Sequence, residues 1–204
     1  IAMELYNLYM NEENFDEMER WFSKTNLKYD VDYYTVIGDY YRSLTENERA
    51  EKWYLKKYEE TGDINDKIYL ADFYNEIDKY EKAEKLYLEA IEKGDIEAYF
   101  GLGDMYDKLK KGKKAEEVYI KGAEKGEYRC AFIMGGKYFD YGNFKEAAKF
   151  YLISANKGHA KSMYNLALSY DILENYPEAR KWYQKAYENG IEDAKEDLKE
   201  LEGK

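Results

Sequence analysis

One histidine and one cysteine, His159 and Cys130, are all the imidazole and thiol that the chain contains. A His-pair metal site and a His-Glu-x-x-His zinc helix are therefore excluded, and the distance between the two in sequence suggests no thiol–imidazole nucleophile. His159 directly follows Gly158 and reads as a surface turn residue. Cys130 stands where Ala98 and Ser162 stand in neighbouring copies of a repeat, so a small buried side chain is expected. Gly101-Leu102-Gly103 lacks a third glycine and a preceding strand, and is no nucleotide fingerprint. The basic run 109–114, LKKGKK, reads as a solvated turn, with contact to an anionic group as the alternative. Three carboxylates, Asp39, Asp72 and Asp104, recur at steps of 33 and 32 residues. Residues one repeat apart sit on the order of a helix diameter, about 10 Å, from each other. One cation cannot bridge that gap, so no metal and no cofactor is expected.

Those residues are carried by a repeat. A small residue followed three positions later by Tyr recurs as Gly38/Tyr41, Ala71/Tyr74, Gly103/Tyr106, Gly135/Tyr138 and Ala167/Tyr170, with a degenerate first copy at Tyr6/Tyr9. Nine residues after each Tyr comes Ala50, Ala83, Ala115, Ala147 or Ala179, with Met18 in the first copy. Aromatic or branched pairs follow, from Trp21/Phe22 and Trp53/Tyr54 to Trp182/Tyr183, and each copy closes on Gly62, Gly94, Gly126, Gly158 or Gly190. The Tyr anchors are 32, 33, 32, 32 and 32 residues apart, the signature of a solenoid.

Sterics explain the residue types. Two antiparallel helices approach closely only where small residues face each other, since the contact side chains set their separation. The Tyr and Trp positions then fill the space between one hairpin and the next. Spacings of three and four keep them on one helical face, and Gly supplies a left-handed terminator. First helices are expected near 2–10, 30–43, 64–76, 96–109, 128–140 and 160–173, and second helices near 15–26, 47–61, 80–93, 113–125, 144–157 and 177–189. Asp30, Asp63 and Asp95, and in another phase Asn14, Asn143 and Asn175, are the expected N-caps. Pro177 falls in a first helical turn, where proline is tolerated. Ala194, Leu198 and Leu201 give residues 191–204 one apolar stripe, which makes them a helix that seals the stack.

Composition supports this reading. Aromatics make up 18% of the chain and charged residues 37%, with a single Pro, which suits a helical protein built on amphipathic rings and argues against disorder. No apolar run approaches the roughly 20 residues that cross a bilayer, and no signal-peptide core is visible. Localisation stays open, with the cytoplasm favoured. The net charge of −11 is uneven: residues 1–100 carry −12, 101–190 carry +4 and 191–204 carry −3. An acidic half repels nucleic acid and favours basic partners.

The segment Ala179–Gly190 matches the pattern A-x-x-W-Y-x-x-A-x-x-x-G, and with Ala160–Tyr170 before it resembles the Sel-like repeat family, relatives of tetratricopeptide repeats. The resemblance covers nearly all of the chain. The nine-residue Tyr-to-Ala step is shorter than in most Sel-like units and is similar to that of tetratricopeptide repeats. The resemblance implies an all-α, right-handed α-α superhelical solenoid in one domain: about six helix-turn-helix repeats (about 1–29, 30–62, 63–94, 95–126, 127–158 and 159–190) and a C-terminal capping helix.

It also implies a concave face made by first helices, into which the residue after the small position points. That row is Asn7, Asp39, Asp72, Asp104, Gly136 and Leu168, and beyond the aspartates the lining becomes Arg129, Phe132, Phe139, Lys161, Tyr164, Leu168 and Ile172. Asp39, Asp72 and Asp104 either meet a partner there or solvate a helix face and pair with lysines. They would repel the carboxylate that some tetratricopeptide proteins clamp. The expected function is a non-enzymatic scaffold that binds a protein or peptide, basic in character, in this groove. Nucleic acid and membrane are not expected as partners, and the chain is expected as a monomer or weak oligomer. A hydrolase on a Sel-like scaffold is the alternative, although disulfide-rich members of that kind need many cysteines. An assembly module of a larger regulatory protein is a third reading.

Overall fold

The computed structural model describes residues 33–201, together with Glu17 and Arg20. The expected helices 2–10 and 15–26, the first-copy residues Tyr6, Asn7, Tyr9, Asn14, Met18, Trp21 and Phe22, and Asp30 lie outside the described residues. So does the chain beyond Leu201. The described residues are all-α, with no strand among them.

The helices are α1 (Tyr33–Ser43), α2 (Asn47–Thr61), α3 (Ile64–Glu76), α4 (Tyr80–Glu92), α5 (Ala98–Lys108), α6 (Gly112–Glu124), α7 (Tyr128–Asp140), α8 (Phe144–Ala155), α9 (Ala160–Ile172), α10 (Tyr176–Glu188) and α11 (Ala194–Glu200). First and second helices alternate as the repeat predicts. The chain divides between Leu86 and Tyr87, inside α4, into two compact units.

In the first unit, α1, α2 and α3 enclose Ile37, Tyr41, Trp53, Tyr54, Leu70 and Phe73, all fully buried. In the second, the core runs from Tyr151 through Leu166, Ala167 and Tyr183 to Ala194 and Leu201, so α11 covers the open side of α10 as a cap should. The alanines at 50, 83, 115, 147 and 179 are fully buried. The close approach differs from the expectation that small residues face each other. A Cβ on Gly38 would lie 2.3 Å from the Tyr54 ring, one on Gly103 2.3 Å from Tyr119, and one on Gly135 2.5 Å from Tyr151. Each glycine therefore makes room for the tyrosine ring of its own hairpin. That ring also reaches the next hairpin, as Tyr54 does at 4.9 Å from Phe73.

Second helices end as predicted. Gly94, at φ +93°, turns the chain so that the Asp95 N–H donates to the Ala90 carbonyl at 3.0 Å. First helices end the same way without requiring glycine, which sequence reading did not mark. Thr45, Asp78, Lys110 and Glu174 have φ between 55° and 60°, and Gly142 takes the equivalent place at 73°. The following N–H then bonds back to the anchor tyrosine, as in Lys111 N–H to Tyr106 O at 2.8 Å and Asn175 N–H to Tyr170 O at 2.8 Å. A left-handed residue with a Cβ costs roughly 1–2 kcal/mol, which the two bonded carbonyls and the buried anchor offset.

Asp63 caps α3 by accepting from the Asn65 N–H at 2.8 Å, and Asn143 caps α8 through Glu146 N–H at 3.3 Å. Asp95 accepts from the Glu97 and Ala98 N–H groups at 2.7 and 3.1 Å. Asn175 makes no side-chain cap bond, so that expected cap is withdrawn; Pro177 lies in the first turn of α10 as expected.

Candidate functional site

The Asp39 carboxylate sits where three helices of the first unit meet. Gly38 admits the Tyr54 ring from α2, and the phenol then emerges beside the next residue and donates to Asp39 Oδ1 at 2.7 Å. Tyr69 of α3 donates to the same oxygen at 2.6 Å, and Arg42 lies 3.6 Å away. Burial, then the hydrogen bond to Asp39, pushes the Tyr69 phenol up to about 12 and drives Tyr54 up as well. Arg42 is also clamped by Glu76, with contacts of 2.6 and 3.1 Å. Asp39 thus binds α1 to α2 and α3. Asp72 is exposed on α3, and Asp104 on α5 pairs with Lys108 at 3.0 Å.

A second polar cluster lies away from these aspartates in the same unit. Glu51 of α2 accepts from Lys79 at 2.6 Å, Lys82 at 2.7 Å and the Tyr74 phenol at 2.8 Å. Burial alone would raise its pKa, but the three donors overcome that and hold it at about 2.

In the second unit the first helices carry an aromatic row. Phe100, Phe132 and Tyr164 stand six residues before the anchors Tyr106, Tyr138 and Tyr170, half-exposed, one per hairpin. Behind them lie buried tyrosines of the second helices: Phe100 is 6.5 Å from Tyr119, Phe132 6.1 Å from Tyr151 and Tyr164 5.6 Å from Tyr183. Arg129 covers the Phe100 ring at 4.4 Å and bonds through Nε to Glu127 at 2.7 Å, a buried carboxylate whose other oxygen caps α7 at the Cys130 N–H, 2.6 Å. Burial opposes the Arg129 charge, but Glu127, Glu97 and Tyr128 together outweigh it and raise the pKa of the guanidinium. Burial and a hydrogen bond to Asp197 bring Tyr164 to about 12. Phe139 packs 5.0 Å from Phe144, Leu168 lies half-buried against the core, and Lys161 is exposed.

Of the residues singled out from sequence, Phe132 and Tyr164 therefore share one row, with Arg129 attached to it through Phe100. Asp39, 45% exposed, is engaged by Tyr54, Tyr69 and Arg42 of its own unit. Phe100, Glu127, Tyr69 and Asp197 were missed. Phe100 was legible, since it holds the Phe132 and Tyr164 position.

His159 stands in the turn as expected, but its ring is not a free surface group. It packs 4.8 Å from Phe132 and 5.7 Å from Tyr128, with Nδ1 2.7 Å from Ser162 Oγ, which in turn donates to Ser154 Oγ at 2.7 Å. Burial, then Lys161, lowers its pKa. Both serines are completely buried, so this histidine–serine chain ties α8 to α9 and offers no nucleophile to a substrate. Cys130 is buried as expected, and burial raises its thiol pKa. Among the described residues no cluster of His, Cys, Asp or Glu is arranged to hold a metal ion, and no helix is long and apolar enough to cross a membrane.

Paired helices of near-constant size, glycine-terminated and closed around a tyrosine, define the class: the chain folds as an array of Sel-like and tetratricopeptide-like helical repeats. Residues 96–124 match the tetratricopeptide repeat model, and residues 134–202 match a domain of unknown function (DUF6340). No curated protein matches the chain.

Among solved structures it is similar to c5321, a protective antigen present in uropathogenic Escherichia coli strains and displaying an SLR fold. Identity there is 28% and the TM-score 0.58, over 88% of this chain and 42% of that one. A Sel1 repeat protein from Oxalobacter formigenes is 22% identical with a TM-score of 0.60, over 74% of this chain and 49% of that one. MamA shares the fold at 20% identity and a TM-score of 0.51, over 78% and 97%. The chain thus spans less than half the length of the first two. Repeat arrays of this class are scaffolds for protein–protein contact and are typically non-catalytic.

Proposed function

We propose that this scaffold holds a protein or peptide segment on the first-helix face of its second unit, through aromatic anchoring and attraction of basic groups by a partly exposed carboxylate. The row of half-exposed rings at Phe100, Phe132 and Tyr164 carries this reading. One ring per hairpin, each backed by a buried tyrosine, is a fixed apolar ladder of the kind that supplies the strongest anchors at interfaces. Arg129 widens it by stacking on Phe100. Asp104, on the helix of Phe100 and still 43% exposed beside Lys108, is the carboxylate that fits the electrostatic part.

The test is binding of the full chain to an array of extended peptides that vary in charge and aromatic content. Peptides with basic and apolar residues are expected to be retained, and Phe132→Ala with Tyr164→Ala should weaken them about tenfold or more. Raised salt should weaken them further. Retention that ignores the aromatic changes would overturn the proposal.

A further inference from the structure

We propose that the edge formed by the turns after α5, α7 and α9 is a self-complementary docking surface that pairs, about a two-fold axis, with the same edge of a second copy of this chain. The proposal is independent of the first-helix face. Three equivalent windows, 32 residues apart, follow one another in the second unit. Residues 107–114 hold five lysines against Asp107, for a net +4; residues 139–146 carry −1; residues 171–178, with Asp171, Glu174 and Glu178, carry −3. The edge therefore runs from basic to acidic across three hairpins. At its centre Tyr141 is 80% exposed, and in the following turn Ile172 and Leu173 are 48% and 43% exposed, apolar surface that solvent alone does not favour.

The tips are Lys110 and Glu174. Both occupy the left-handed position that ends a first helix, at φ 55° and 58°, and both are exposed without an ion pair among the described residues. An antiparallel arrangement of two copies places the basic turn of each, with its lysine stems, against the acidic turn of the other and its Ile172 and Leu173, and brings the two Tyr141 rings together on the axis. A two-fold contact has this property: residue i meets j and j meets i. A parallel arrangement sets like against like. A partner of a single charge sign would fit only one end of the edge. Three turns form a small contact, below the roughly 1,200 Å² of stable interfaces, so the dimer is weak and salt-dependent.

Sedimentation velocity of the full chain across a concentration series tests this. Dimerisation is expected at low ionic strength and should vanish near 1 M salt, where the screening length is about 3 Å. Lys110→Glu and Glu174→Lys should each weaken the dimer about tenfold, because each change disrupts two symmetry-related pairs. The double variant should regain it, because the charges have exchanged places. Tyr141→Cys should give a covalent dimer on mild oxidation, Cys130 being buried. A wild-type chain that stays monomeric at low salt, a dimer indifferent to the single charge changes, or a double variant no better than the singles would each overturn the proposal.

Discussion

The two units bury the same tyrosine of the second helix and satisfy its hydroxyl differently. In the first, Tyr54 donates to Asp39 of its own hairpin, and Tyr69 of the following helix joins it. In the second, the equivalent position is still Asp104 in the hairpin whose tyrosine, Tyr119, bonds instead to Asp107, and becomes Gly136 and Leu168 in the next two, where neither side chain can accept. There Asn165 of the following first helix bonds to Tyr151, and Asp197 of α11, at the same register, lies beside Tyr183. That last substitution is incomplete, since Tyr183 Oη and Asp197 Oδ2 are both buried without a hydrogen-bond partner among the described residues. The polar group moves from one helix to the next as the sequence changes, so an aspartate in this row serves the packing of a tyrosine before it serves a ligand. The first unit is correspondingly knit by charge, through Glu51 with Lys79 and Lys82 and through Lys57 with Asp66, whereas the second rests on rings and alanines.

The largest test concerns what the units share. Gly38→Ala and Gly135→Ala should each cost about 2–3 kcal/mol in chemical denaturation, because each new Cβ meets a buried ring at 2.3 or 2.5 Å. A much smaller loss in one unit would show that its ring can move aside.

Acid should separate the units. Glu51 has its pKa lowered from 4.5 to about 2, so the unfolded chain takes up its proton first as pH falls. Its contribution is complete above about pH 4.5 and is lost as pH drops towards 2. Hydrogen exchange of α2 and α3 should therefore accelerate over that window before that of α8 to α10, and Glu51→Gln should remove the difference. The smallest effect is the sharpest. Tyr54→Phe should cost about 1 kcal/mol by leaving Asp39 short of a donor, whereas Tyr183→Phe should be neutral or slightly stabilising, since its hydroxyl is already unpaired. Equal losses would mean that Tyr183 has found Asp197 in solution.

The helices were legible because Gly, Ala and Tyr recur at a fixed step, and the expected α2, α3 and α7 bounds coincide with those observed. The site was less so. Asp39, Asp72 and Asp104 read as one row, but nothing in their spacing says that Tyr69, present in one hairpin only, converges on Asp39. A phenol five residues before an anchor acquires meaning only once the neighbouring helix is in place. His159 was misjudged for the same reason: the glycine before it marks a turn, while Phe132, 27 residues earlier, supplies the ring that covers it. Phe100 was a different omission, visible in the register it shares with Phe132 and Tyr164.

The left-handed terminators after second helices fall at Gly94, Gly126, Gly158 and Gly190, at a constant stride of 32. Between any two successive ones lies a complete hairpin whose buried packing positions, Ala115, Ala147 and Ala179 with Tyr119, Tyr151 and Tyr183, match those of its neighbours in kind. Duplication or excision at these joints leaves each seam chemically familiar, so array length can vary by genetic recombination while local chemistry is conserved. The length of the stack is then an inheritable quantity, adjustable in whole modules.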